Sequence, residues 1–280
     1  GLSILRSATL AGYKCVLVEK ECDLLEGASG HNSGICCTGV DAAAGTLERA
    51  LIRDGISQIK PFLQQHNIPN RPCGSLVCQW NKNSDVDCLD AVLLQSHNAG
   101  DTHATRWTPP QIQEMEPNLS QDCTGAVHIP GEIVLDPWLF SIALAVHARE
   151  NGATIYTNFE MNPEKSNWDS NAQTWTISSK SKSSESNNHV PKVLKANIVI
   201  NAAGINADLV QWKVSNNNDS CLDPPHWNAQ PRRGQYRIFS STEHTTIQHP
   251  IQPVPTQFTK GIFCFSSIYN QIVVGPTALD

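Results

Sequence analysis

The chain opens with Gly1-Leu-Ser-Ile-Leu-Arg-Ser-Ala-Thr-Leu-Ala-Gly-Tyr-Lys-Cys-Val-Leu-Val-Glu19, and this stretch decides the fold. Its first eleven residues, small and apolar, predict a helix, and Gly12-Tyr-Lys predicts a tight turn. Cys15–Val18 is a short, unbroken apolar run, which is typical of a strand buried on both faces of a parallel sheet. Glu19 therefore ends a predicted strand at the edge where open α/β sheets bind their ligands.

The spacing of Glu19 indicates a dinucleotide site. An acidic residue at this point of a Rossmann-type unit accepts hydrogen bonds from ribose hydroxyls, about twenty residues after the glycine-rich turn. Gly1 has the right distance to be the last glycine of that turn, so we expect the first strand and the two earlier glycines upstream of residue 1. The alternative is a strand end at the surface, with Glu19 facing solvent.

A loop of small residues follows, Gly27-Ala-Ser-Gly-His-Asn-Ser-Gly34. It has little side-chain bulk, so its backbone can approach a ligand closely. Its hydroxyl, amide and backbone N–H groups suit a pyrophosphate or a flavin ring. A flexible surface loop is the alternative, because Gly/Ser stretches commonly form one.

These segments together resemble the FAD-binding half of the D-amino-acid-oxidase-like flavoprotein superfamily, in particular its glycerol-3-phosphate dehydrogenase and L-2-hydroxyglutarate dehydrogenase group. The resemblance rests on Val16–Lys20, Gly27–Gly34 and Thr38-Gly39. It continues in order through segments 130–138, 201–208, 231–236, 253–256, 258–261 and 274–278. It also implies that a further substantial segment follows residue 280.

The fold implied is α/β, α+β overall: a Rossmann-like FAD-binding domain interleaved with a mostly antiparallel β substrate domain. We expect FAD-binding parts at 1–72 and 136–212, and substrate-domain parts at 73–135 and 213–280. FAD is the implied cofactor. The implied cofactor-binding residues are Gly1, Glu19, Lys20, Ser29, Asn32, Ser33, Gly34, Ala203 and Gly204.

The implied reaction is hydride transfer from a hydroxyl-bearing carbon to flavin, with electrons passed to an acceptor that the sequence does not identify. A small anionic hydroxy substrate calls for cations. Arg232, Arg233 and Lys260 lie in matched segments and are the candidates, each with a solvated surface charge as the alternative. Thr38 is the remaining candidate for substrate binding.

One position departs from the pattern. Two places before Gly39 the family usually has a histidine that acts as a base or orients substrate, and here that place holds Cys37. A thiol with its ordinary pKa near 8.5 is a poor base at neutral pH. Cys37 nevertheless holds the position of the catalytic residue, and three interpretations of the protein's function are open. These are a glycerol-3-phosphate-type dehydrogenase, a 2-hydroxy acid dehydrogenase of the L-2-hydroxyglutarate type, and a truncated, catalytically impaired homologue.

Composition limits the other classes of function. The net charge of −6 over 280 residues argues against a nucleic-acid binder, and no apolar run is long enough for a transmembrane segment. Ten cysteines without a Cys-x-x-Cys pair indicate reduced thiols and no structural metal site. We expect an intracellular protein, cytoplasmic or mitochondrial.

Local signals predict most of the remaining elements. Predicted helices run from Leu47 to about Gln65 with Thr46 as cap, 85–98 with Asp85 as cap, from Thr108, from Asp136-Pro137 to about Asn151, and 205–212. Predicted strands are 74–80, 125–129, 154–157, 174–178, a buried strand 195–201, and 235–239, 261–265 and 271–274 near the end. Polar loops are predicted at 178–188 and 216–220.

Overall fold

A computed structural model describes residues 1–80, 88–180, 190–211, 227–240, 246–256 and 261–278. Asp85, Trp212, Lys260, the loop 216–220 and most of the loop 178–188 fall outside these ranges. The chain divides into two compact units: Gly1–Asn32 with Ser141–Pro231, and Ser33–Phe140 with Arg232–Asp280. The predicted boundary after residue 72 has no counterpart in this division, and the assignment of domains to cofactor and substrate stays a prediction.

The α-helices described over their full length are α1 (Leu2–Leu10), α2 (Leu47–Gln65), α3 (Leu89–Asn98), α4 (Pro109–Met115) and α5 (Pro137–Glu150). Residues 207–211 are also helical, and 3₁₀ turns lie at Pro163–Lys165 and Gly204–Asn206. The strands are β1 (Val16–Val18), β2 (Ile35–Cys36), β3 (Asn70–Arg71), β4 (Ser75–Gln79), β5 (Thr105–Trp107), β6 (Gly125–Ile129), β7 (Ile133–Leu135), β8 (Thr154–Tyr156), β9 (Asn167–Asp169), β10 (Thr174–Ser178), β11 (Val193–Ala196), β12 (Arg237–Phe239), β13 (Ile251–Pro253), β14 (Phe263–Ser266) and β15 (Ile272–Gly275).

The first unit is built on the parallel pair β1–β8, in which Leu17 lies opposite Ile155. Leu5 of α1 packs beside these strands in one apolar cluster with Ala148 of α5. The expectation that Cys15–Val18 is buried on both faces is wrong, because Val16 is 46% exposed. Among the described residues, β1 has a strand neighbour on one side alone, so its other edge is uncovered.

The rest of the first unit is an antiparallel meander in the order β11-β10-β9. The predicted strand 174–178 matches β10, whose alternating pattern the sequence carries. The predicted buried strand 195–201 is wrong: strand structure ends at Ala196, and Ile198 and Ile200 are 72% and 57% exposed. An apolar run predicts a strand, but it becomes one only where a neighbouring strand accepts its hydrogen bonds.

The second unit contains a seven-stranded sheet in the order β12-β15-β14-β13-β4-β6-β5. The three predicted strands near the end of the chain are confirmed as β12, β14 and β15, which pair antiparallel. The strand β13 has no counterpart in the sequence analysis. It joins β4 in parallel, with Ile251 opposite Leu76, and this pairing ties the final strands to the middle of the chain.

Helices α2 and α4 begin at the capping residues that the sequence predicts. Thr46 Oγ1 accepts from Arg49 N at 3.3 Å at the start of α2, and Thr108 forms a capping box with Gln111 at the start of α4. Helix α3 starts at Leu89 rather than at 85. Leu47 and Leu51, at the first turns of α2, are 72% and 59% exposed and so lie off its buried face.

Asp136 provides the clearest cap. Its Oδ1 accepts from Trp138 N at 2.8 Å and Leu139 N at 3.0 Å, and its Oδ2 accepts from the Tyr269 hydroxyl at 2.5 Å. A small three-stranded sheet, in the order β2-β7-β3, precedes this cap. It places Cys36 opposite Ile133 and so brings residues 35–40 next to residues 130–135.

Candidate functional site

Glu19 lies where the sequence places it, directly after the parallel pair. Its backbone N–H donates to Tyr156 O at 2.8 Å, and its carbonyl accepts from Phe159 N at 2.8 Å, so β8 and the following turn hold it from both sides. Its Oε1 accepts from Glu21 N at 3.0 Å. No described residue bonds Oε2, so this oxygen is available to accept a hydrogen bond from a hydroxyl group.

Lys20, the residue after Glu19, forms an ion pair at the surface. Its ammonium pairs with Glu21 at 2.9 Å, and its side chain is half exposed. The hydrogen bond and charge of Glu21 raise the pKa of Lys20. Lys20 therefore steadies the acidic turn as a surface cation, and a contact with cofactor stays a prediction.

Gly1 and the turn 201–204 lie side by side. A Cβ at Gly1 would stand 3.8 Å from the Ala202 methyl, at ordinary contact distance. Asn201 shapes the turn, since its Oδ1 accepts from Ala203 N at 3.2 Å and its Nδ2 donates to Ala207 O at 2.8 Å. Gly204 has φ +58, which suits glycine. Two segments 200 residues apart in sequence thus present small residues together, as a cofactor cradle requires.

Within the first unit, the loop 27–32 folds on itself. Asn32 Nδ2 donates to Ser29 O at 2.9 Å and to Ala28 O at 3.1 Å, while the His31 ring lies 3.0 Å from Gly27 O. Ser29 and Asn32 are exposed. Asn32 therefore shapes the loop, and the exposed hydroxyl and backbone of Ser29 are accessible to a ligand.

Ser33 and Gly34 belong to the second unit. A Cβ at Gly34, with φ +69, would overlap Leu135 O and stand 3.0 Å from Pro137 Cδ. Gly34 is needed for close packing on the end of β7, and its own carbonyl accepts from Leu135 N at 2.9 Å. Ser33 hydrogen-bonds the Tyr236 hydroxyl, whose pKa is raised by burial.

The Ser33–Tyr236 hydrogen bond brings residues 232–236, which include Arg232 and Arg233, next to Ser33. Gln235 exchanges hydrogen bonds with Thr277, N to Oγ1 at 3.0 Å and O to N at 3.0 Å, which holds residues 232–236 along the end of β15. Arg232 and Arg233 are exposed just before this clamp. Lys260 lies outside the described residues.

Cys37 lines an apolar groove of about 250 Å³ with Cys36, Ile52, Gly55, Ile56 and Ile59. Its Sγ is 3.9 Å from Ile35 O. Burial, and then the charge of Glu132, raises the pKa of Cys36 to about 11, so this thiol is neutral at physiological pH. The groove contains no cation, and so it does not by itself form an anion pocket.

Thr38 follows in a tightly held turn. Its N–H donates to Glu132 Oε1 at 3.2 Å, and its carbonyl accepts from Arg53 at 3.4 Å. Gly39, with φ +88, lies so close to α2 that a Cβ would stand 3.1 Å from Ile52 Cγ2. Thr38 is 2% exposed, so a direct contact with substrate stays a prediction.

The other end of the turn is held as firmly. The Val40 carbonyl accepts from Arg49 at 3.2 Å and from Gln95 at 2.6 Å. Arg53 also pairs with Asp101 Oδ1 at 2.7 Å, and that carboxylate is nearly buried. Side chains from two helices therefore fix the backbone immediately after Cys37.

Glu132 is the residue that sequence reasoning missed. Burial raises its pKa to about 7, against the lowering effects of Ser75 and the Thr38 N–H, and the charges of Asp41 and Asp101 raise it further. A charged residue within the apolar segment 129–135 was the available signal. Its partner Thr38 is 94 residues away in sequence, so no motif spacing links the two.

Two findings concern other classes of site. Among the described residues, no group of three or more His, Cys, Asp and Glu side chains is arranged to hold a metal ion. None of the helices in the described ranges has both the length and the apolar character needed to cross a membrane.

Comparison with known proteins extends along the whole chain. Residues 1–280 match the family described as FAD dependent oxidoreductase. Glycerol 3-phosphate dehydrogenase of Caloramator mitchellensis is 27% identical over 285 residues, which cover 100% of this chain and 54% of that protein. Mitochondrial L-2-hydroxyglutarate dehydrogenase of Nematostella vectensis is 26% identical over 270 residues, 91% of this chain and 54% of that protein. The chain thus spans about half the length of these relatives.

A solved structure shares the fold. Dithionite-reduced L-alpha-glycerophosphate oxidase from Mycoplasma pneumoniae with FAD bound has a TM-score of 0.81 at 24% identity, covering 100% of this chain and 70% of that one. The predicted fold class and the family resemblance are confirmed by these matches. Because the family match runs from residue 1 to residue 280 and the fold agrees with it, the chain belongs to the family of FAD-dependent oxidoreductases.

Proposed function

We propose that the protein binds FAD and oxidises a hydroxyl-bearing carbon of a small anionic substrate, with glycerol 3-phosphate as the first candidate. The observation that carries the flavin is Glu19, held at the carboxyl end of β1 with one carboxylate oxygen unbonded by any described residue. Bound flavin supplies the hydride acceptor, and the protein binds and orients the substrate against it.

The cofactor residues divide into two groups with different tasks. Glu19 would hold the ribose, while Gly1, Ala203 and Gly204 expose backbone with little side-chain bulk. Ser29 would offer its exposed hydroxyl, and Asn32 would hold that loop in shape. Ser33 and Gly34 continue the loop; Lys20 would add positive charge beside the acidic turn.

The name of one relative supports glycerol 3-phosphate as the substrate. The 27% identical relative is named a glycerol 3-phosphate dehydrogenase, and a phosphate dianion needs cationic donors. Arg232 and Arg233 are exposed beside the clamped segment at Gln235, and Arg can bind phosphate with two parallel hydrogen bonds. Together with Lys260 and the Thr38 turn, they form the proposed substrate side.

A 2-hydroxy acid such as L-2-hydroxyglutarate is the second candidate substrate. The relative that favours it is 26% identical over 91% of this chain. Its carboxylates would use the same arginines as a phosphate does. The electron acceptor and an intracellular location, cytoplasmic or mitochondrial, belong to the same proposal; free thiols throughout the described part of the chain support the location.

A catalytically impaired homologue is favoured by one observation. Cys37 occupies the position of the candidate base and lines an apolar groove with Ile52, Ile56 and Ile59. A thiol accepts a hydroxyl proton less efficiently than the imidazole that the family usually has at this position. The protein would then hold flavin and turn over slowly.

The first experiment tests flavin binding. The chain is incubated with FAD, desalted and examined by absorbance spectroscopy, beside Glu19→Gln and the control Glu150→Gln, an exposed acid at the end of α5. Loss of one charge-assisted hydrogen bond should weaken FAD binding roughly 10- to 100-fold in Glu19→Gln. Equal retention of flavin by Glu19→Gln and the wild type would remove Glu19 from the site.

The second experiment tests the substrate. Flavin bleaching is followed anaerobically after addition of glycerol 3-phosphate, L-2-hydroxyglutarate or uncharged glycerol. Faster bleaching with one of the two anions identifies the substrate. Bleaching with neither, together with a large gain in the Cys37→His variant, would support the impaired homologue.

A further inference from the structure

Glu132 occupies a place that the proposed reaction does not use. It is 1% exposed, and in the described part of the chain no Lys or Arg lies within ion-pair distance of it. Its backbone lies directly before β7, where Gly74 N donates to Glu132 O at 3.0 Å. The start of this strand thus directs a buried, uncompensated carboxyl group at the turn after Cys37.

The contact made by this carboxyl is specific. Oε1 accepts from Thr38 N at 3.2 Å, whereas Oε2 is buried and has no hydrogen-bond partner among the described residues, although the Ser75 hydroxyl lies near enough to lower the pKa of Glu132. A buried acceptor left unmatched destabilises the ionised form. Protonation of Oε2 would relieve that cost if an acceptor stood nearby.

Three candidate acceptors are present. Thr38 Oγ1, Ser75 Oγ and Asp101 Oδ2 are buried, and none has a hydrogen-bond partner among the described residues. Thr38 and Asp101 lie close to Gly131, the residue before Glu132, since a Cβ at Gly131 would stand 2.8 Å from Thr38 Cγ2 and 3.5 Å from Asp101 Oδ1, and the Ser75 hydroxyl is close enough to lower the pKa of Glu132. The neutral carboxyl group of Glu132 can therefore donate a hydrogen bond to a neighbouring oxygen, whereas the ionised carboxylate can only accept hydrogen bonds.

The groups facing Glu132 come from every element around it. Cys36 faces it from β2, Thr38 and Asp41 from the turn after β2, Ser75 from β4, and Asp101 from the turn after α3. Arg53 of α2 donates to Thr38 O and forms an ion pair with Asp101. The carboxylates of Asp41 and Asp101 thus add negative charge beside Glu132, and Arg53 offsets part of it at Asp101.

We propose that Glu132 is a positioning residue whose protonation state sets how firmly the Cys37–Val40 turn is held. In the ionised form the carboxylate holds the Thr38 N–H with a charge-assisted bond. In the neutral form that bond weakens, and the new hydroxyl donates to a neighbouring oxygen. The catalytic consequence rests on the proposed function, since Cys37 and Thr38 are its candidate residues on this turn.

Hydrogen exchange tests the claim without flavin or turnover. Exchange of peptides covering 36–42 is measured on the 280-residue chain from pH 5.5 to 8.5 and divided by the intrinsic exchange rate. Because charged acceptors bind about twice as strongly as neutral ones, protection of the Thr38 amide should rise about tenfold as pH rises. The midpoint should lie near the Glu132 pKa of about 7.

Two variants sharpen the result. Glu132→Gln keeps the shape but not the titration, so its protection should stay low and independent of pH. The matched control Glu114→Gln, an exposed acid on α4, should follow the wild type. A flat wild-type profile, or a Glu132→Gln profile with the wild-type step, overturns the proposal. The wild-type profile decides the matter even where Glu132→Gln does not fold.

The test of a catalytic effect of Glu132 uses the flavin-loaded protein. The pH profile of flavin reduction by substrate should show a step near pH 7 in the wild type, and Glu132→Gln should lack it. A step shared by both proteins overturns the catalytic role of Glu132. If no substrate reduces the flavin, the proposed function fails, while the exchange profile still decides whether Glu132 positions the turn.

Discussion

Replacement of Glu116 by alanine should destabilise the second unit strongly. Glu116 is 2% exposed at the end of α4. Its Oε1 accepts from His249 N at 2.6 Å and His249 Nδ1 at 2.9 Å, and its Oε2 accepts from Gln248 N at 3.2 Å. One buried carboxylate therefore ties residues 248–249, which lead into β13, to a helix more than 130 residues earlier.

The expected loss of stability depends on whether each N–H group that bonded Glu116 can bind water once the carboxylate is removed. Gln248 is exposed, so its N–H can bind water. His249 is 6% exposed, so its N–H stays buried without a partner, which costs about 1–3 kcal/mol. Loss of the bond to the ring adds about 1 kcal/mol or more, and removal of a buried charge returns part of the total. We expect Glu116→Ala to lower the free energy of unfolding by about 2–4 kcal/mol.

Urea denaturation followed by circular dichroism measures this change. Glu116→Gln retains an oxygen for His249 but turns an N–H₂ toward Gln248, so it should lose about half as much. Glu114→Ala, on the exposed side of α4, is the matched control and should lose less than about 0.5 kcal/mol. A loss in Glu116→Ala no larger than in Glu114→Ala would refute the reasoning from burial and orphaned donors.

Three further predictions test other parts of the molecule. Burial raises the pKa of Glu132 from 4.5 to about 7, so the folded state holds this proton to higher pH than the unfolded chain. The unfolding free energy of the wild type should therefore fall by up to ~3 kcal/mol between about pH 4.5 and 7, relative to Glu132→Gln, in denaturant titrations at each pH. Asp136→Ala removes the cap bonds of α5 and should cost about 1–2 kcal/mol, whereas Asp136→Asn should retain most of that stability in the same assay. Gly34→Ala, at φ +69 against Leu135 O, should lower Tm clearly, and an unchanged Tm in calorimetry would contradict the close packing.

Local chemistry explains which elements the sequence analysis predicted. The cap at Asp136 with proline behind it, the cap at Thr46 and the alternating pattern of β10 all act within a few residues. Such signals therefore place α2, α5 and β10 without knowledge of the rest of the fold.

Long-range pairing explains the errors. The run 195–201 has strand composition, yet no described strand accepts its hydrogen bonds beyond Ala196. The strand β13 is too short to be marked by its own pattern, and it exists because β4 offers it a parallel partner. Whether an apolar segment becomes a strand is decided by its neighbours.

By itself, the sequence determined the family, the FAD-type architecture and the position of Glu19 after the first strand, because these depend on short motifs. Only the tertiary structure decided that Glu132 lies beneath the Thr38 turn and that Glu116 binds His249. The physical reason is that burial and charge proximity arise from contacts between distant segments. A carboxyl group becomes a proton-sensitive contact when the fold removes water from it and places other carboxylates beside it.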